Sequence, residues 1–327
     1  MTSENSILPQ VQLGRGGPLI GAQGLGCMGM SEFYGETDEV EARATLDRAL
    51  ALGVTMFDTA DMYGLGANET FLGSFVRAHR DHVVIATKFG YARDAANPDD
   101  WSLDNRPEHI RAAADRSLKR LGVDAIDLYY MHRRSSDVSL EDSVGAMAEL
   151  VAAGKVRHLG LSEVSAEELR AAHAIHPIAA LQSEWSLFSR QIEASVVPVA
   201  AELGIAIVPY APLGRGLLTG KLLPAALPEG DARRNFPRFA QENSEANQAL
   251  IAGIQTLAVA RGITAAQLAL AWLHDRARFH DVAVIPIPGT RKVERLEENV
   301  SAATLALTAS ELAVLEPIAA AVKGVAI

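Results

Sequence analysis

Apolar residues along this chain follow two alternating rhythms: short unbroken runs, and longer stretches with helical spacing. The short runs occupy 19–24, 54–57, 83–87, 126–131, 157–161, 179–182, 206–209 and 282–287. Each is apolar nearly throughout, the pattern of a parallel strand covered on both faces. Between them lie stretches with matched start and stop signals. In "SLEDSVGAMAELVAAG", Ser139 offers an N-cap with Asp142 three residues on, Leu140, Val144, Met147 and Val151 form a stripe, and Gly154 ends it. Ser165 with Glu168, Thr264 with Gln267 and Thr308 with Glu311 repeat the capping pattern. Pro107 opens a further stripe of Ile110, Ala114, Leu118 and Leu121.

Eight strand–helix alternations without a Pro/Gly/Ser linker predict an α/β fold, a single (β/α)8 TIM barrel forming one domain over 1–327. The early segment "VQLGRGGPLIGAQG" carries a Gly-Gly turn and predicts an N-terminal β-hairpin that plugs the barrel bottom. The longest gap follows the seventh strand, and residues 215–246 within it form a candidate lid.

Composition narrows the function classes. A net charge of −10 disfavours a nucleic-acid surface, which needs a basic face, though it leaves room for a local basic pocket. The single cysteine, Cys27, allows no intrachain disulfide, and no Cys/His pair has zinc-ligand spacing. The first ten residues lack the basic start and apolar core of a signal peptide, and no long apolar run interrupts the chain. A cytoplasmic protein with neither a membrane nor a nucleic-acid partner is the expectation.

Chemistry gathers where strands end, the face on which barrel enzymes carry their active sites. Asp58 and Tyr63 in "FDTADMYG" follow the second strand, Lys88 in "VVIATKFG" ends the third, and His132 in "LYYMHRRSSD" ends the fourth. Each alone has an ordinary structural explanation, and Asp58 with Lys88 could be an inert buried ion pair. Together they compose a proton donor. A phenol titrates near ~10, and an ammonium beside it stabilises the phenolate left after proton loss. Lys88 supplies that charge, Asp58 holds Lys88 in place, and His132 hydrogen-bonds the reacting oxygen. Asp61 reads as a bystander, solvated or capping the turn before Gly64 and Gly66.

A phenol acid and a histidine suit carbonyl chemistry but lack a hydride donor, so a nicotinamide cofactor is expected. "GLGCMG" matches the dinucleotide fingerprint at Gly24, Gly26 and Gly29, yet the next helix starts only near Thr37 or Asp38, too far on for that geometry. Later strands offer better groups. Ser162 and Glu163 end the fifth, and Gln182 ends the sixth with an amide suited to a carboxamide. Tyr210 can stack on a flat ring, the backbone through Gly214, Arg215 and Gly216 can approach phosphate, and Lys221 adds charge. Gly289 and Thr290 lead into a helix N-terminus flanked by Arg291 and Lys292, where a 2′-phosphate would fit, so NADPH is expected over NADH. Met30, Phe33, Trp101 and Trp185 are candidate pocket walls.

The motifs "FDTADMYG", "ATKFG", "LYYMH", "AGKVRHLGLSE", "PYAPLGRG" and "GTRKVERLEEN", in this order over nearly the whole chain, resemble those of the aldo-keto reductases. The resemblance implies a barrel binding NADP(H) in extended form, with a catalytic tetrad on Asp58, Tyr63, Lys88 and His132. It places Ser162, Glu163 and Gln182 at the nicotinamide and Tyr210 beneath it. It puts Pro212, Leu213, Gly214, Arg215, Gly216 and Lys221 at the pyrophosphate, Gly289 to Lys292 with Arg295 at the phosphorylated ribose, and Glu298 and Asn299 at the adenine. The likeness is greatest to bacterial, plant and fungal members with "LYYQHR", from which this chain departs at Met131 and at Trp185, where Tyr is common. The expected activity is reversible NADPH-dependent reduction of an aldehyde or ketone, with a small carbonyl or alcohol as partner. Two alternatives are a nicotinamide-binding regulatory subunit, whose relatives carry Asn at the position of His132, and a metal-dependent barrel hydrolase.

Overall fold

The structure is a computed structural model that describes residues 8–35, 37–229 and 231–325. The chain begins with an antiparallel hairpin, β1 (Gln10–Gln12) and β2 (Leu19–Gly21), in which Val11 faces Ile20. Seven parallel strands then pair in sequence order: β3 (Leu25–Gly26), β4 (Met56–Asp58), β5 (Val84–Phe89), β6 (Ile126–Met131), β7 (Val156–Ser162), β8 (Ile178–Glu184) and β9 (Ala206–Tyr210). Helices α1 (Glu39–Ala51), α2 (Ala67–Ala78), α3 (Pro107–Leu121), α4 (Leu140–Ala152), α5 (Ala166–Ile175) and α6 (Val196–Leu203) alternate with them. The remaining helices are α7 (Gln241–Ala260), α8 (Ala265–His280), α9 (Val293–Ser301), α10 (Ala309–Leu315) and α11 (Ile318–Ala321).

The last expected strand, 282–287, closes the ring by isolated bonds instead of a ladder. Ile285 N donates to Ile207 O (2.9 Å) and Ile287 N to Pro209 O (3.0 Å) on one side, and Gly24 N donates to Pro286 O (2.9 Å) on the other. Pro286 and Pro288 lack the amide hydrogens that a continuous ladder would need. The run 19–24 is also corrected. Its first half is β2 of the hairpin, and the first barrel strand is the two-residue β3.

Burial explains the plug. Leu13 and Ile20 of the hairpin are fully buried in the interior cluster formed by Met56, Ala86, Leu128, Tyr130, Val208 and Ile285. Gly14 sits at φ +70 with its missing Cβ position only 2.2 Å from the Ala179 carbonyl oxygen, so glycine lets the hairpin seat against β8. The helix signals read from sequence are realised. Ser165/Glu168, Thr264/Gln267 and Thr308/Glu311 form reciprocal capping boxes, and Ser139 accepts from Asp142 N. The segment after β9 folds as short 3₁₀ turns, among them Gly214–Thr219 and Ala232–Asn235, before α7 begins. Among the described residues no single helix is long and apolar enough to cross a membrane.

Inside the barrel, Tyr130 on β6 stands opposite Gly160 on β7, and a Cβ at Gly160 would lie 2.4 Å from the tyrosine ring. The ring uses the space that glycine leaves. Gly160→Ala is expected to cost about 1–3 kcal/mol by overpacking, read as a lower urea midpoint at unchanged slope.

Candidate active site

The end of β4 continues its pairing with β5 through Thr59 N to Ala86 O (2.8 Å) and Asp61 N to Lys88 O (3.1 Å). The chain then reverses through Gly64 (φ 55), Leu65 (φ 56) and Gly66 (φ 91), a left-handed run that glycine at two of three positions makes accessible. This reversal brings Tyr63 back over the strand ends. Lys88, fully buried, uses all three donors there: Asp58 Oδ1 at 2.5 Å, Thr59 O at 2.7 Å and Tyr63 Oη at 3.4 Å. The other Asp58 oxygen accepts from Gln182 Nε2 at 2.8 Å. His132 stands edge-on to Tyr63, ring centroids 5.8 Å apart, and its buried Nδ1 has no partner.

Protonation follows from this packing. Burial works to lower the Lys88 pKa, but Asp58 and then Tyr63 outweigh it and the net shift is upward. Burial pushes the Tyr63 phenol up, Lys88 opposes that, and the net direction remains upward. The ammonium therefore limits a rise in the phenol pKa instead of bringing it below 10. Burial, followed by Lys88 and Arg133, holds His132 well below 6.5. At neutral pH the site presents an ammonium, a protonated phenol and a neutral imidazole.

Of the two readings the sequence offered for Asp61, solvated or capping the turn, the structure overturns the first. The residue is buried, its Oδ1 has no partner, and burial with the nearby Glu69 charge lifts its pKa to about 8. Glu69 itself is satisfied by Thr87 Oγ1 (2.6 Å) and Arg120 Nε (2.6 Å).

Toward β7–β9, Ser162 is buried and accepts from Arg133 Nη1 at 3.0 Å. Glu163 is exposed at φ 53, its Oε1 taking Glu184 N at 2.8 Å. Gln182 turns its amide nitrogen to Asp58, so the role read for it at a carboxamide is shared with one inside the tetrad. The Tyr210 ring closes β9, its hydroxyl unpartnered and its pKa raised by burial. Beyond Pro212 and Leu213, positive φ at Gly214 (55), Arg215 (55) and Gly216 (102) curls the backbone across the barrel mouth. Lys221 reaches Glu298 Oε1 at 3.7 Å, which joins this curl to α9.

At the α9 start, Lys292 is the N-cap and supplies no side-chain acceptor; Thr290 Oγ1 accepts from Lys292 N at 3.1 Å. Gly289 forms a bridge with Gly26, and Asn299 is buried on the helix. Arg291, expected at a phosphorylated ribose, instead binds the loop after β3: Gly29 O (3.0 Å), Gly35 O (3.3 Å), Thr37 Oγ1 (3.1 Å) and Tyr34 O (2.8 Å). Arg295, exposed and without an ion pair among the described residues, is the guanidinium left open there.

Two expected pocket walls lie elsewhere. Met30 packs with Leu25 and Leu46 in the cluster outside the strands. Trp185 is fully buried, donating to Glu193 Oε1 at 2.9 Å and packing on His280. Phe33 and Trp101 do meet, at 6.4 Å between centroids, and Tyr91 extends them to within 5.2 Å of His132. Tyr91 was not singled out from sequence, although an aromatic three residues past Lys88 carried the signal. Arg93 stacks on Trp101 and grips Glu32 at 2.6 and 3.0 Å, tying two mouth loops together.

The buried Asp61 gives a pH signature. Its folded pKa is about 8 against the unfolded 3.8, so the folded state holds the extra proton and stability falls as pH rises between those values. Asp61→Asn mimics the neutral acid. Its stability relative to wild type is expected to rise between pH 4.5 and pH 8, by on the order of 4 kcal/mol in chemical denaturation.

Comparison with known proteins agrees with this geometry. A profile described as the Aldo/keto reductase family matches residues 23–320. A glycerol dehydrogenase from Gluconobacter oxydans is similar at 28% identity and TM-score 0.83, over 98% of this chain and 96% of that one. An aldo-keto reductase from Bacillus halodurans in its holo form is similar at 27% identity and TM-score 0.79, covering 98% and 97%. A thermostable aldo-keto reductase complexed with the inhibitor epalrestat is similar at 26% identity and TM-score 0.74, covering 95% and 100%. The chain belongs to the aldo/keto reductase family of oxidoreductases.

Proposed function

We propose that this enzyme interconverts a carbonyl compound and its alcohol with NADP(H), Tyr63 giving the proton in reduction and taking it in oxidation. One observation carries the reading: a fully buried ammonium, fixed by Asp58 and the Thr59 carbonyl, turns its remaining donor to the phenol that faces the barrel mouth. When bound, the nicotinamide supplies hydride, which no side chain can do. The residues present fit such a cofactor. The flat Tyr210 ring lies beside Ser162's neighbour Arg133, the α9 N-terminus lacks a side-chain cap, and Arg295 is open to a phosphate.

The phenol's upward pKa keeps its proton at neutral pH, as an acid must. As that proton leaves, the Lys88 ammonium stabilises the phenolate, and Asp58, held by Gln182, keeps the ammonium aligned. His132, neutral and adjacent, serves as a hydrogen-bond partner to the reacting oxygen. The aromatic arc Phe33–Trp101–Tyr91 supports an apolar or flat substrate body above the site. Likeness to a glycerol dehydrogenase supports the alcohol-oxidising direction as well.

Tyr63→Phe should reduce kcat by about 10²–10⁴ while NADPH affinity, read by fluorescence titration, changes by no more than about threefold. Full turnover in this variant contradicts the assignment. Arg295→Leu should weaken NADPH at least about tenfold and leave NADH nearly unchanged. Arg291→Leu should instead lower the melting temperature of the free protein, because it loosens the loop at 29–37.

A further inference from the structure

Arg133 directly follows His132, is half-buried at the barrel mouth, and was assigned no role by the motifs. Its Nη1 donates to His132 O (2.7 Å) and Ser162 Oγ (3.0 Å), and its guanidinium carbon lies 5.9 Å from the Tyr210 ring centroid. The family resemblance sets Ser162 and Tyr210 at the nicotinamide ring, and the proposed function sets His132 at the reacting oxygen. Apart from Arg295 at α9, the following cations near the mouth have other partners. Lys88 is held by Asp58, Arg93 by Glu32, Arg134 by Glu168, and Arg238 faces Glu184. Arg215 turns away, stacked on Phe236 and directed at Tyr34. Glu163, the carboxylate next to Ser162, accepts from a backbone amide and makes no ion pair with Arg133, although its charge, like that of Glu184, acts on the Tyr210 phenol against Arg133. Among the described residues Arg133 has no carboxylate within 4.0 Å.

We propose that Arg133 makes this site favour the reduced nicotinamide over the oxidised one, by fixing a positive charge without an ion-pair partner beside the ring's seat. The inference rests on the proposed cofactor. The oxidised ring is a cation and the dihydropyridine is neutral, while the rest of the nucleotide is common to both, so a nearby guanidinium acts on their difference. A guanidinium stays charged at every accessible pH, and half-burial weakens solvent screening of its repulsion. In the reductive direction this charge hastens departure of the oxidised nucleotide once hydride has gone to the carbonyl carbon and the Tyr63 proton to its oxygen. His132, being neutral, contributes no such charge.

The test is calorimetric titration of wild type, Arg133→Met and Arg133→Lys with NADPH and with NADP⁺, without substrate. Wild type should bind NADPH at least about tenfold more tightly than NADP⁺, with a ratio that is flat from about pH 6 to 9. Arg133→Met should bring the ratio toward unity mainly by tightening NADP⁺, and Arg133→Lys should keep it. A Met variant with the wild-type ratio overturns the proposal. Equal affinities in wild type also overturn it, whether or not the Met variant folds, yet leave the cofactor reading standing. If neither nucleotide binds wild type, the cofactor reading fails and this inference with it.

Discussion

Everything at the mouth of this barrel depends on keeping one ammonium group dry. Removing such an ion from water costs several kcal/mol, recovered only when the geometry of its partners is good and each donor is met. Lys88 satisfies that condition with three acceptors for its three donors, from Asp58, Thr59 and Tyr63. Asp58 would be free to rotate if its second oxygen were open; Gln182 occupies it. The group therefore draws on β4, β5 and β8 together, and it exists only once the ring of strands has closed.

Closure is a matter of small residues and prolines as much as of branched apolar ones. Gly160 makes room for the Tyr130 ring, and Gly14 lets the hairpin seat Leu13 and Ile20 beneath the interior. Above the ring, arginines tie loops that come from distant parts of the chain. Arg291 holds the loop after β3, Arg93 joins Glu32, and Arg233 stacks over Tyr34 while donating to the Arg215 carbonyl. These ties leave an exposed Arg295 and a half-buried Arg133 without an ion pair among the described residues, each beside a different part of the groove that the proposed cofactor would fill.

Much of this was legible in the chain because it is local. Apolar runs, caps three residues apart and polar residues just past strand ends are all written within short windows, and they located the strands, the helices and the Asp58–Tyr63–Lys88–His132 group. What was not legible is where long side chains turn. Arg291 reaches carbonyls more than 250 residues away in sequence. Gln182 crosses the barrel to Asp58, and neither contact leaves a local trace. Met30 and Trp185 looked like mouth residues from their neighbours, but their side chains face the packed shell. The eighth strand was read from an apolar run that Pro286 and the following Pro288 reduce to isolated bonds, and the first from a run that belongs half to the hairpin. Asp61 looked solvated because acidic residues in turns generally are; only the fold shows it enclosed beside Glu69.

The central claim is that the Lys88 charge acts on the Tyr63 hydroxyl. Carbon-13 labelling of tyrosine at Cζ, with Tyr63 assigned by its loss in the Phe variant, allows the phenol to be titrated by NMR in wild type and in Lys88→Met. The account predicts that the Tyr63 midpoint lies higher in Lys88→Met than in wild type, because burial then loses its main opponent. An unchanged or lower midpoint in that variant would contradict it.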